Sequence, residues 1–164
     1  MNVKIRKATI KDINQMYPVL LDMIKSEDRA IKASNRYLMR LRKKRTDFEA
    51  STKREFRREM EVKNSKYLVA IIDDKIVGYT RAEVKNNKNS FFQPVKTGYL
   101  QSLVVLKKYR GRGIAAKLYQ ELEKWLKSKK CTQVSLHVLK NNNAKKIYEK
   151  WGYESVFYKM TKKL

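Results

Sequence analysis

Val3 and Ile5 alternate with charged residues in "VKIRKAT", the period of a half-buried strand. Thr9 can cap a helix, with Asp12 three residues on, and Ile13, Met16, Tyr17, Leu20, Leu21 and Ile24 then recur at helical spacing. From Glu27 to Asn64 the apolar anchors thin out among many positive charges, leaving Ile31, Tyr37, Leu38, Leu41, Phe48, Phe56 and Met60. That pattern predicts one or two exposed helices with a break near Arg45 to Ser51. Two runs rich in Val, Ile and Tyr flank Asp73-Asp74-Lys75 in "KYLVAIIDDKIVGYTRAEV", which predicts a β-hairpin. After the polar tip "KNNKNSFFQP", the stretch "TGYLQSLVV" reads as a further strand. "GIAAKLYQELEKWLKS" follows as a helix whose apolar stripe is Ile114, Leu118, Leu122, Trp125 and Leu126. "QVSLHV" is another strand, "NNNAKKIYEKWGY" a short helix ending at Gly152, and "ESVFYKM" a last strand. The order β-α-α-β-β-β-α-β-α-β predicts an α/β fold with one mixed sheet flanked by helices. No repeat or Pro-rich linker interrupts it, so residues 1–164 are expected to form a single domain.

Charge changes the picture more than length does. Forty Lys and Arg against sixteen Asp and Glu give a formal charge of +24, while 42% of residues are hydrophobic. Such a chain has enough apolar surface to fold, and it attracts anions. Its single cysteine, Cys131, can form no intramolecular disulfide and has no partner for a CxxC metal or redox pair. The start "MNVKIRKATIKDI" has no apolar core of signal length, and nowhere do roughly eighteen apolar residues run together. The expectation is a soluble cytoplasmic protein with no metal and no membrane contact.

The segment most suggestive of chemistry is "YRGRGIA", residues 109–115, a basic loop with two glycines running into the amphipathic helix. Glycines let the backbone turn tightly and approach a ligand, and the first turn of a helix leaves N–H groups free to bind an anion. Arg110-Gly111-Arg112-Gly113-Ile114-Ala115 matches a Q/R-x-x-G-x-G/A loop, and Asn141, Ala144, Tyr148, Gly152 and Tyr153 fit an N-x-x-A-x-x-x-Y-x-x-x-G-F/Y pattern downstream. With both motifs on the expected elements, the chain resembles the GNAT superfamily of N-acetyltransferases over nearly its whole length.

The resemblance implies a GNAT fold, with a mostly antiparallel central sheet, and a loop that cradles the pyrophosphate of acetyl-coenzyme A. Backbone N–H groups from Gly111 through Arg112, Gly113, Ile114 and Ala115 to Ala116 would take the phosphate oxygens, in a field raised by Lys107, Lys108, Arg110 and Arg112. It further implies that backbone at Leu103, Val104 and Val105 meets the pantetheine arm, and that Asn141 and Tyr148 belong to the cofactor site. Tyr148 matches the family tyrosine near the sulfur. A phenol of reference pKa about 10 stays protonated at neutral pH and can donate to a thiolate of about 8.5. Packing between helix and sheet is the alternative role for Tyr148.

Many family members carry a glutamate base on the strand before the loop, but this chain has Gln101 in "YLQSLVV", which accepts no proton usefully. What stands instead is Tyr99 on that strand and the only histidine, His137. The pairing resembles one branch of the protein N-terminal amino-acid acetyltransferases, in which a tyrosine and a histidine activate the amine through water. A peptide α-amine of reference pKa about 8 is partly neutral already, so an imidazole near about 6.5 suffices, where a lysine at about 10.4 asks for more. Each of the two residues also has a packing role open to it, and Glu83 stands in reserve as a base. The implied activity is transfer of the acetyl group from acetyl-CoA to a primary amine of a peptide or protein, by direct attack in a ternary complex. Lysine side chains, polyamines and aminoglycosides remain alternative acceptors, although a free polycation would be repelled unless the pocket is locally acidic. A non-catalytic coenzyme A-binding module is the rival from another class. The basic segment from Arg29 to Arg58 would then be its ribosome or nucleic-acid contact, unless those charges are simply solvated helix faces.

Overall fold

Antiparallel pairing builds most of the sheet. In the computed structural model, which describes residues 2–34, 36–87, 91 and 93–162, β1 (Lys4–Lys7), β2 (Ser65–Ile72), β3 (Lys75–Asn87) and β4 (Val95–Val105) each lie antiparallel to the next. β5 (Gln133–Leu136) adds in parallel to β4, so the spatial order is β1-β2-β3-β4-β5. The parallel step needs a crossover, and α4 (Ile114–Ser128) supplies it. The β2–β3 connection is as tight as the sequence predicts. Asp73 and Asp74 have φ of 46° and 56°, the left-handed conformations that a two-residue hairpin turn requires and short acidic side chains tolerate.

Helices cover both faces. Ile114, Leu118, Leu122 and Leu126, spaced one turn apart, are fully buried on α4 against Leu68, Ala70, Val77, Ala82 and Leu100. On the opposite face α1 (Ile13–Ser34) and α3 (Phe48–Glu61) bury Ile13, Met16, Val19 and Phe56 against Tyr67, Val69, Tyr79 and Val104. The chain enters α1 through a single 3-10 turn. There Arg6 grips Asp12 with two bonds of 2.7 and 2.8 Å, and Asp12 accepts the Thr9 N–H at 2.7 Å. The Arg6 guanidinium and the Thr9 bonds hold the Asp12 carboxyl down to about 2.

The fold class is the expected one, with differences in two places. Between α1 and β2 lie two further helices, α2 (Arg36–Arg40) and α3, separated by residues 41–47. Helix α3 starts at Phe48, ahead of the expected end of the break at Ser51, with Asp47 at its N-cap position ion-paired to Arg45 at 2.9 Å and Arg54 at 3.0 Å. Of the polar tip after β3, residues 88–90 and 92 lie outside the described residues. The last predicted strand does not form: residues 153–162 carry no regular structure, and Val156, Phe157, Tyr158 and Met160 are 78 to 92% exposed. β-forming residue types register only side chains, whereas a strand also needs a neighbour to take its backbone N–H and C=O groups. β5 is four residues long and pairs with β4 alone. α5 (Ala144–Lys150) ends the regular structure.

Candidate active site

β4 and β5 part after a short ladder. The two strands pair from Thr97↔Gln133 to Leu100↔Leu136, and beyond that point no ladder joins β4 to β5 among the described residues. Gln101 is the cause on the β4 side: Ala82 lies opposite Leu100 and Arg81 opposite Ser102, so Gln101 is an extra residue, a β-bulge. A bulge bends its strand and sharpens the twist. It also shifts the alternation by one residue, since Leu100 before it and Leu103 and Val105 after it all pack toward α4. Leu103, Val104 and Val105 are therefore laddered to β3 on one side and to no strand on the other, where the Val105 carbonyl accepts a bond from Arg110.

At the end of this open stretch the chain makes a 3-10 turn, Lys107–Tyr109, and reaches Gly111 and Gly113. Both glycines have positive φ, 74° and 75°, and nothing lies within 4 Å of where a Cβ would stand on either. Gly113 is the N-cap of α4, with no side chain capping that end. The first-turn N–H groups of a helix have no partner within it, so those of Ile114, Ala115 and Ala116 lie beside open space at the positive end of the helix. Arg110 is held by other partners. Its Nε donates to the Val105 carbonyl at 2.8 Å and its Nη2 to Asp22 on α1 at 2.7 Å.

On the α1/α3 face, the structure brings Tyr99 and His137 together. The Tyr99 hydroxyl lies 2.7 Å from His137 Nδ1, and the rings meet edge-on with centroids 5.5 Å apart. His137 follows the last residue of β5 and is exposed, so it stands where the β4–β5 ladder ends. Glu83 is the cross-strand neighbour of Tyr99. Burial, and then the charge of Glu83, push the Tyr99 phenol up from its ordinary value. Glu83 is itself ion-paired to Arg81, whose side chain is only 6% exposed. Arg81 Nη1 also binds Glu59 of α3 at 2.7 Å, the Tyr67 hydroxyl donates to the same carboxylate, and the guanidinium lies 5.5 Å from the Tyr67 ring centroid. Lys85 Nζ caps the Tyr99 ring at 4.2 Å.

Tyr148 belongs to a different cluster, at the edge of the α4 face. Its ring meets Trp151 and Tyr153 edge-on at 6.0 and 5.6 Å, and Trp151 stacks on Tyr119 at 4.7 Å. Burial pushes the Tyr148 phenol up to about 12, with Tyr119 adding to the shift. It is thus a protonated donor throughout the physiological range. Asn141 is exposed in the turn that leads to α5. Burial raises the Cys131 thiol, which keeps it protonated and a poor nucleophile. Among the described residues no three His, Cys, Asp or Glu side chains gather as a metal site would need, and no helix is long and apolar enough to cross a membrane.

A family model described as "Acetyltransferase (GNAT) family" matches residues 34–153. The chain belongs to the GNAT acetyltransferases. Its activity is therefore acyl-CoA-dependent acetyl transfer of the GNAT type, and acetyl-CoA is the donor the family uses. No curated protein matches the sequence. Among solved structures it is similar to a mutant of the BH1408 protein from Bacillus halodurans, at 20% identity over 98% of this chain and 99% of that one, with a TM-score of 0.83. A ribosomal-protein-alanine N-acetyltransferase from Brucella melitensis biovar Abortus 2308 gives 16% identity over all of both chains and a TM-score of 0.72. The aminoglycoside N-acetyltransferase AAC(6')-Iy, in complex with CoA, gives 13% identity over 99% of this chain and 95% of that one, also at 0.72. At these identities the likeness establishes the fold; the acceptors named differ from one another.

The GNAT loop of this chain fits a pyrophosphate by two observations: the empty space over both glycines and the uncapped start of α4. Three residues that organise the site escaped the sequence reading. Arg81 left a faint signal as a lone cation within the apolar run "VGYTRAEV", while Glu59 and Asp22 look like any acid on an amphipathic helix.

Proposed function

We propose that this GNAT enzyme acetylates the free α-amine of peptide or protein N-termini, in a direct ternary complex with acetyl-CoA. The observation that carries the reading is the 2.7 Å contact between Tyr99 and His137 where β4 and β5 part. With Gln101 on the bulge in place of a carboxylate, this pair is the group best placed to take a proton on that face. An imidazole near about 6.5 is matched to an α-amine near about 8 and poorly matched to a lysine near about 10.4. The likeness to a ribosomal-protein-alanine N-acetyltransferase agrees with this acceptor class, and the +24 charge suits an acceptor presented on an anionic surface.

Backbone N–H groups from Gly111 to Ala116, with the local field of Arg112, hold the pyrophosphate. The open edge of Leu103, Val104 and Val105 receives the pantetheine arm, and Asn141 and Tyr148 close the α5 side. When bound, acetyl-CoA supplies an acetyl group activated as a thioester. His137 takes the acceptor's proton through water, with Tyr99 fixing the ring through Nδ1. Tyr148, held protonated by burial, donates a hydrogen bond to the departing sulfur, and the thiolate takes its proton from water. Cys131, with its thiol kept neutral, has no part in the transfer.

A thiol-release assay at fixed salt tests the acceptor, using N-terminal peptides, Nα-blocked lysine peptides, spermidine and an aminoglycoside. Turnover confined to free α-amines is expected. Turnover confined to lysine or to a small amine overturns the acceptor, and coenzyme A binding without any turnover favours a binding module.

A further inference from the structure

The cofactor loop is tied to helix α1 through one carboxylate. Asp22 Oδ2 accepts the backbone N–H of Lys107 at 2.9 Å and Arg110 Nη2 at 2.7 Å, while Arg110 Nε donates back to the Val105 carbonyl at 2.8 Å. Ser26, one turn further along α1, bonds the Asp22 carbonyl at 3.0 Å and lies 3.5 Å from Nη1 and Nη2 of Arg110. Strand end, loop and helix are thus joined at two points just before Gly111. The Asp22 side chain is 23% exposed and that of Arg110 is 43% exposed.

An ion pair this exposed contributes little to global stability. A carboxylate near an anion-binding loop also works against the anion by simple Coulomb repulsion. Its placement is explained by what it does to the loop. Glycines lose more conformational freedom on ordering than any other residue, and a ligand that must order two of them binds more weakly for it. We infer that Asp22 is a positioning residue for coenzyme A, holding Lys107 and Arg110 so that the N–H groups after Gly111 converge before the ligand arrives. The inference rests on the loop being the coenzyme A cradle. It also makes α1, which walls the α1/α3 face, part of the cofactor site.

The two physical effects have opposite signs, which makes the test decisive. Removing the charge by Asp22→Asn would tighten coenzyme A if repulsion dominated and loosens it if the brace dominates. Calorimetric titration of coenzyme A is expected to show about fivefold weaker binding in Asp22→Asn, with Arg110→Gln losing a similar factor and the double variant losing little more. In turnover, the KM for acetyl-CoA rises while kcat and the acceptor KM hold. Equal or tighter binding in Asp22→Asn, or additive losses in the double variant, overturns the brace while leaving the cradle intact. Amide exchange on the unmodified protein gives a second readout: the Lys107 N–H is expected to be protected without coenzyme A, and rapid exchange there overturns the brace. A wild-type protein that binds no coenzyme A overturns the cradle and the brace together.

Discussion

The loop after β4 and the sheet face beneath Tyr99 are built by different means. The loop is backbone geometry: two positive φ values, an uncapped helix start and a strand left open by a bulge, all between Gln101 and Ala116. The face beneath Tyr99 is side-chain chemistry gathered from distant segments, with Glu59 on α3, Tyr67 on β2, Arg81 and Glu83 on β3, Tyr99 on β4 and His137 after β5. The difference teaches how a shared donor and a variable acceptor are accommodated. A backbone cradle is indifferent to most side-chain changes, whereas the other half of the site is remade by a few substitutions.

The sharpest way to break this contrast is at Arg81. Replacing it by Met leaves Glu59 and Glu83 facing each other with no cation between them, and breaking such a buried pair costs about 3 kcal/mol or more. Urea unfolding is expected to show that loss, and the triple variant Arg81→Met, Glu59→Gln, Glu83→Gln is expected to regain most of it. In whatever fraction stays folded, coenzyme A affinity is expected to hold, because the ion-pair and hydrogen-bond partners of Arg81 (Glu59, Glu83) and of Glu59 (Tyr67) all lie outside residues 107–116.

Tyr148→Phe comes next and addresses the cofactor side. It is expected to lower kcat about 100-fold with coenzyme A affinity nearly unchanged, since the phenol acts only as the thiolate departs. The wild-type phenol, raised to about 12, stays protonated, so no alkaline fall in kcat is expected below a pH of about 11. Equal turnover in the variant removes Tyr148 from the chemistry.

How much of each half was legible follows from the same contrast. Gly111, Gly113, Tyr148 and the helix α4 lie within 38 residues of one another, counting from 111 to 148, and their spacing carried the family motif directly. Tyr99 and His137 were named from their residue types, but only the β4–β5 register shows them in contact. Arg81 and Glu59 were invisible because an ion pair between a strand and a helix 22 positions earlier leaves no periodicity to detect. The strand predicted at Glu154 to Met160 failed for the converse reason, since its β-forming residues are present and its ladder partner is not.

His137→Ala probes the acceptor half without touching its fold. Turnover is expected to fall about tenfold at neutral pH and to recover as pH approaches about 9, where the α-amine loses its proton unaided. A flat loss with an α-amine acceptor makes His137 a structural partner of Tyr99 and nothing more.

The smallest expected effect bears on the cradle. Gly113→Ala places a Cβ on a residue with φ of 75° where no atom lies within 4 Å, so it adds strain without a clash. That conformation costs a non-glycine residue about 1 kcal/mol, or roughly 3 °C in Tm for a domain of this size. If the loop is a turn and nothing else, coenzyme A affinity falls no further than this strain can account for, and Gly111→Ala behaves alike. If the empty space over the glycine is where the pyrophosphate sits, affinity drops well beyond the loss in stability while the acceptor KM stays fixed. The ratio of the two losses then measures how closely the ligand approaches the backbone, which stability alone cannot reveal.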